Sequence, residues 1–493
     1  MTAELLVRPP AAVEALAPPS GLQRRLGLVP ATALNMVDMI GVGPFVTLPL
    51  MVAAMGGSQA IYGWIAGAVV ARADGLIWSE LGAALPKAGG SYEYLKQIYG
   101  PRFGRLLSFL FVFQLVFSAP ISMASGCIGL ASYASYLLPG LTRVFRHGSL
   151  PFYFFGAVRL NLDISGATLT AAGTSALATL LACRRIAGIG RISKFLWIGV
   201  LVAIGFVIAA GFSHFDGAMA FSTFGAHPSG GFFAGFSSAM LLALYDYWGY
   251  YNVCFLGEEV VRPAKNIPRA TLISIGVVAV LYIAMNVGIL GVLPTSQLIA
   301  MAHGSANNSA AAVAAEAVWG HWAGVTVSIL VIWTAFASVF SLLAGYSRIP
   351  YAAARDGNFF AMFGKLHPKS NFPANSTILL GTLAALFCVF QLKDLLVALV
   401  VIRVMLLFLV QALGAVKWRM ADPSHPRPFR MWLYPLPVIV TVAGLGLVLC
   451  DKRLLAARGL AFAAVGVGCF LVRAARRREW PMKEFGAVRH SQA

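Results

Sequence analysis

Hydrophobic runs of eighteen or more residues recur along this chain from Val29 to Val472. Each is long enough to cross a bilayer as a helix. Inside a bilayer every backbone polar group must find a partner within the protein, which leaves helical bundles and closed barrels as the available architectures. Runs of this length belong to helices, because a barrel strand needs only about half as many residues. Composition agrees: charged residues make up only 11% of the 493, against roughly 25% in a soluble domain.

The runs predict an all-α integral membrane protein of about twelve spans: 29–54, 59–85, 103–138, 164–183, 192–213, 232–257, 270–293, 322–354, 374–391, 395–416, 431–450 and 454–473. The formal net charge of +19 would suggest nucleic acid in a soluble protein. Here the charges follow the alternation of spans. Lys and Arg gather in the N-terminal tail, the C-terminal tail and alternate connections, including Lys87, Lys96, Arg102, Arg105, Arg262, Lys265, Arg269 and Arg355. The opposite connections hold only Arg143, Arg146, Arg159, Lys393, Lys452 and Arg453, with Arg458 just inside the last span. The positive-inside rule then places both termini in the cytoplasm and the chain in the cell membrane, with anionic lipid a partner for the run Arg476–Arg478 and no nucleic acid. Residues 1–28 read as a disordered cytoplasmic tail without a signal peptide, and 474–493 as a basic cytoplasmic tail.

Two spans contain residues that a continuous membrane helix does not favour. The first reads Asn35-Met36-Val37-Asp38-Met39-Ile40-Gly41-Val42-Gly43-Pro44-Phe45. Gly weakens a helix and Pro interrupts one, yet Pro suits the first turn of a new helix. Two half-helices are therefore expected, the second starting at Pro44. The sixth span reads Leu244-Tyr245-Asp246-Tyr247-Trp248-Gly249-Tyr250-Tyr251-Asn252, which is not a lipid-facing stretch. Small residues alone would be explained by close helix packing. The Pro, the matched second break and the polar cluster point instead to a binding site between two halves. The chain then divides into two five-helix sets, 29–213 and 232–416, followed by two additional helices, 431–473.

The physics of such a site is specific. The N-terminus of the second half of span 1 offers N–H groups and a positive dipole end to a carboxylate. The C-terminal end of the first half of span 6 offers carbonyls to an ammonium. Together they form a receptor for an α-amino acid, its wall completed by Ser118, Ser122 and Ser125 of span 3 and Phe336, Ser338 and Ser341 of span 8.

These residues resemble the amino acid–polyamine–organocation (APC) superfamily of permeases. The likeness is carried by Gly41-Val42-Gly43-Pro44-Phe45, by Ser79-Glu80-Leu81-Gly82 through Pro86-Lys87-Ala88-Gly89-Gly90-Ser91-Tyr92, by Glu259 through Pro263 to Ile267-Pro268-Arg269-Ala270, and by Ser347-Arg348 through Ala354-Arg355-Asp356-Gly357. The resemblance implies a five-plus-five inverted repeat of the leucine-transporter type with broken helices 1 and 6. It implies substrate contact at Gly41, Val42 and Gly43, and an aromatic gate at Tyr245, four residues before Gly249. This chain departs from the pattern at Pro44, Asp38 and Asp246, and it lacks the span-5 Lys of some proton-coupled members, that region reading Ile198-Gly199-Val200-Leu201.

The expected substrate-binding set is thus Asp38, Gly41, Val42, Gly43, Tyr245, Asp246, Trp248, Gly249, Ser122 and Ser338. Glu80, Glu259 and Arg348 fall near cytoplasmic helix ends, where ion pairs of the two glutamates with Arg262, Arg348 or Arg355 would be structural or gating. Asp38 and Asp246 flank the breaks, so three readings stand: they hold a cationic substrate or sodium, one carries a proton for coupling, or each caps a broken helix. Arg72 and Asp74, inside span 2, read as pairing with each other or with the bundle, and Arg403 is a further intramembrane charge. The six Cys and few His show no metal-ligand spacing, and no nucleotide or catalytic motif is present, so neither metal nor cofactor nor enzyme activity is expected. The leading function is a secondary transporter of amino acids. The alternatives are a carrier of polyamines or other organic cations, a non-transporting sensor, and a channel. The charge alternation has a direct test in a cysteine-free background. An impermeant thiol reagent added outside intact cells should label a cysteine placed in the 139–163 connection and spare one placed in 355–373.

Overall fold

The computed structural model describes residues 22–152, 158–183, 186–222, 231–303, 309–368, 370–390, 408–477 and 480–481. The first predicted span is two helices, α1 (Leu28–Met39) and α2 (Gly43–Met55), bent by 42° at the Gly-Val-Gly break. The second half begins at Gly43, one residue before the expected Pro44, and Pro44 sits in its first turn, where a missing N–H costs nothing. Spans 2 to 5 are α3 (Ile61–Ala84), α5 (Arg105–Leu137), α6 (Gly166–Ala182) and α7 (Ile186–Ser213), with the amphipathic α4 (Ser91–Tyr99) leading into α5.

The architecture is mostly helical, and the 139–163 connection adds a small β element to it. This connection contains an antiparallel hairpin, β1 (Val144–Phe152) paired with β2 (Val158–Ser165). The alternation of apolar and polar residues in Val158-Arg159-Leu160-Asn161-Leu162-Asp163-Ile164 has the period of a strand. The next connection carries the short helix α8 (Gly217–Phe221).

Span 6 is interrupted as well. Helix α9 (Phe232–Tyr247) stops four residues before a single turn, α10 (Asn252–Phe255). Between them Trp248 is extended and Gly249 takes φ 124°, a conformation side chains resist. The chain continues through α11 (Pro263–Leu290), α12 (Thr295–His303), α13 (Ala310–Trp319), α14 (His321–Tyr346) and α15 (Arg348–Arg355). It then runs through α16 (Ala374–Phe387), α17 (Val410–Ala421), α18 (Leu436–Asp451) and α19 (Arg453–Arg477). Much of the predicted tenth span, including Arg403, lies outside the described residues. The connection after α15 carries one short 3-10 turn, Ala361–Gly364. Among the described residues six helices are long and apolar enough to cross a membrane, the α1–α2 pair makes a seventh, and four shorter apolar helices accompany them.

One end of the bundle is closed by backbone and charge. Arg25 and Leu26 N–H groups both donate to the Glu259 carbonyl at 2.9 Å, and Val261 N–H returns a bond to Leu26 O at 2.8 Å. The Gly89 N–H donates to Phe255 O at 3.0 Å, and Gly89 and Gly90 hold φ of 98° and 50°, which explains the paired glycines of that turn. Beneath this seam Arg348 grips Glu259 with two parallel bonds, Nε to Oε1 at 2.8 Å and Nη2 to Oε2 at 3.3 Å. Both side chains are buried, at 1% and 0% exposure. Glu80 pairs elsewhere than expected. Its carboxylate accepts from Arg419, Nε to Oε1 at 2.8 Å, and from the Met431 N–H at 2.7 Å, with Arg427 3.6 Å away. The reason is reach: α17 and the strand of chain before α18 pack beside the end of α3, while Arg348 is committed to Glu259.

Arg72 and Asp74 do not pair with each other. Arg72 donates to Leu272 O at 2.5 Å, and Asp74 accepts from Tyr250 at 2.6 Å. Removing one member of a buried ion pair costs about 3–5 kcal/mol, because the other charge is stranded. Arg348→Met should therefore lower the Tm of the detergent-purified protein markedly, whereas Glu259→Gln combined with Arg348→Met should recover most of the loss. Equal Tm values for the single and double variants would remove the pair from the closing seam.

Candidate functional site

The two breaks meet because each supplies what the other lacks. A broken helix frees backbone groups that cost several kcal/mol if left bare in an apolar interior. Asn35 on α1 acts as a peptide group for the second break: its Nδ2 donates to Tyr250 O at 2.6 Å and its Oδ1 accepts from the Val253 N–H at 2.9 Å. Asn252 reaches the other way, donating to Ser341 O at 2.9 Å, while the Ser341 hydroxyl donates to Leu34 O on α1 at 2.8 Å. A Cβ at Gly345 would collide with the Asn252 side chain, so the glycine makes room for this bond. On the opposite side Tyr282 of α11 places its hydroxyl 2.7 Å from Met39 O and 3.1 Å from Asp246 O, spanning the ends of both first halves.

A cavity of about 40 Å³ opens beside these contacts, room for roughly three waters. Loading it with an amino acid requires a wall to move. Its lining includes Asp38, Gly41, Val42, Gly43, Tyr245, Asp246, Trp248, Ser122 and Ser338. Gly249 of the expected set lies behind the cavity, its Cα side against the Asp38 and Met39 backbone at 2.9 and 2.8 Å from where a Cβ would stand. Sequence reasoning missed Met39, Gly126, Leu342 and Tyr346 in the lining. It also missed Thr47 and Tyr282, which hold the lining in place. Gly126 follows the span-3 serines by one turn and was within reach of helical spacing. Nothing in the sequence marks the others, which are ordinary residues of apolar helices.

Several side chains are committed to the protein. The Ser338 hydroxyl donates to Asp38 O at 3.2 Å and would meet a Cβ at Gly41 at 2.9 Å. The Tyr245 hydroxyl lies 3.0 Å from Ser125 Oγ, which orients its ring over the cavity. Ser118 instead bonds Gln114 within its own helix. Carbonyls at the end of α9 are also used, since the Trp248 N–H bonds both Leu244 O and Tyr245 O and Tyr282 covers Asp246 O. The Asp246 Oδ1 accepts no hydrogen bond, from a helix N–H or otherwise. The Thr47 hydroxyl donates to Asp246 Oδ2 at 2.6 Å, and Oδ1 stands directly over Gly43. Asp38 lies in the last turn of α1, at the negative end of its dipole.

Two interrupted helices thus meet at a partly open cavity lined by a mix of polar, aliphatic and aromatic side chains, the architecture expected of a membrane permease. The matching family model is that of the amino acid permeases, over residues 26–472, and the chain belongs to that family. It is a multi-pass membrane protein. It is 24% identical to the serine/threonine exchanger SteT of Bacillus subtilis (strain 168), over 86% of this chain and 90% of that protein. It is 27% identical to the large neutral amino acids transporter small subunit 2 of Rattus norvegicus, over 84% of this chain and 74% of that protein. It is 23% identical to the branched-chain amino acid permease BcaP of Bacillus subtilis (strain 168), over 87% of each.

The two glycines of the site predict different failures. The atoms nearest a Cβ at Gly43 belong to the Asp246 carboxylate and the Tyr245 ring edge rather than to backbone, so Gly43→Leu should insert and purify normally yet lose transport. Gly249→Ala meets backbone and carries a strained φ worth about 1–3 kcal/mol, so it should also lower Tm. Unchanged uptake in Gly43→Leu would separate this cavity from function.

Proposed function

We propose that the chain is a secondary carrier that moves amino acids across the cytoplasmic membrane by alternating access. The observation that carries this reading is the meeting of two broken helices at one cavity, the arrangement that leaves irregular backbone only where it lines a binding site. Twelve spans, the five-plus-five inverted repeat and cytoplasmic termini belong to the same proposal. Support comes from the family membership and from the positions of the breaks at the openings of two comparable segments.

In this scheme the substrate carboxylate sits at the start of α2, against Gly41, Val42 and Gly43, where the N-cap residue Val42 supplies no side-chain cap. Tyr245 is the gate, and Trp248, Ser122 and Ser338 shape the wall. The Glu259–Arg348 pair and the Glu80–Arg419 pair hold one end shut and must separate or slide when that side opens. A solute-coupled cycle of this kind needs no cofactor. Coupling to protons or sodium, or exchange without an ion, are the possible modes.

Purified protein in liposomes tests the reading. Saturable uptake of a radiolabelled amino acid is expected, with trans-stimulation by unlabelled amino acid inside. Non-saturable flux carrying large single-channel currents would indicate a channel instead, and ligand binding without flux would indicate a sensor. Tyr245→Ala should raise leakage or weaken apparent affinity by up to about tenfold, the scale of one lost ring contact of about 0.5–1.5 kcal/mol.

A further inference from the structure

The carboxylate of Asp246 is more than a wall of the cavity. Its side chain is buried at 2% exposure. Thr47 donates its single hydroxyl proton to Oδ2 at 2.6 Å, which fixes the plane of the group. Oδ1 has no hydrogen-bond partner and stands over Gly43, where any Cβ would collide with it. A buried oxygen of this kind costs free energy unless something donates to it. Among the described residues that line the cavity there is no Lys, Arg or His, and Asp38 adds a second carboxyl to the same lining. The Tyr245 ring edge lies 3.5 Å from the same point above Gly43, and Trp248 and Tyr346 complete an aromatic surround. A carboxylate oxygen aimed at an aromatic-walled cavity is the surrounding that a protonated amine prefers.

We infer that this site selects substrates of net positive charge, with Asp246 Oδ1 receiving an ammonium that the substrate's own carboxylate does not neutralise. The inference rests on the carrier reading and sharpens it to cationic amino acids and diamines. Gly43 is then required twice, once for approach to the helix end and once as the vacancy into which the carboxylate leans. Thr47 is a positioning residue, because it orients Asp246 without lining the cavity.

The experiment is competition in proteoliposomes, with radiolabelled L-lysine, putrescine and L-leucine as probes. Wild-type protein should take up lysine or putrescine in preference to leucine, and unlabelled lysine should inhibit leucine uptake. Asp246→Asn should lower the ratio of cationic to neutral uptake about 10- to 100-fold, the scale of one charge-assisted bond. Thr47→Val should lower the same ratio less, through orientation. Should Asp246→Asn fail to purify as a monodisperse species, the wild-type competition and Thr47→Val still decide. The inference is overturned if wild type carries leucine while lysine and putrescine neither enter nor compete. It is also overturned if the ratio in Asp246→Asn stays within about twofold of wild type. Leucine uptake driven by a pH gradient, lost in Asp246→Asn with lysine still excluded, would make the group a proton carrier and overturn it as well. Absence of saturable flux for all three probes would instead bring down the carrier reading itself.

Discussion

The structure depends on one constraint: peptide groups released at two helix breaks, deep in an apolar bundle, must be bonded by the protein. The solution is reciprocal. Asn35 of the first broken helix serves the backbone of the second, and Asn252 of the second reaches α14, whose Ser341 serves the first. Each amide or hydroxyl stands in for a missing turn of helix. Because unsatisfied groups cost several kcal/mol each, the ring of bonds forces α1, α10 and α14 into one register. The cavity is what this register leaves open between the half-helices.

The same economy governs the closed end. The segment before α1 pairs with the segment after α10 through main-chain bonds, and the 86–90 turn docks on Phe255 through Gly89. The charges there are neutralised pairwise, Arg348 with Glu259 and Arg419 with Glu80, while Lys96 pairs with Asp356 at 2.5 Å. Three of the four stretches that carry the family likeness therefore converge on one seam. Their residues are joined by contacts that a rocking motion would have to break together.

The cavity itself is built with a charge imbalance. Two carboxyl groups enter its lining, one oriented by Thr47 and one at the negative end of α1, where the helix dipole disfavours it.

The sequence by itself determined the membrane class, the interruption at Gly41–Pro44 and the interruption beside Gly249, because long apolar runs and helix-breaking residues act locally. Some helix ends, such as both ends of α3 and the start of α14, fall within about two residues of the apolar runs, whereas α7 and α11 begin well before theirs, and the resemblance motifs placed the permease family. The β1–β2 hairpin was legible in the alternation of residues 158–164 but lay in a segment that composition alone reads as a loop. Only the tertiary structure decided the partners. Glu80 takes Arg419 rather than Arg262, Arg348 or Arg355, Gly249 turns its back to the cavity, and Thr47 and Tyr282 become supports of the site. Those outcomes depend on which helices lie side by side, and distance along the chain carries no trace of it: Thr47 and Asp246 are 199 residues apart in sequence and 2.6 Å apart in space.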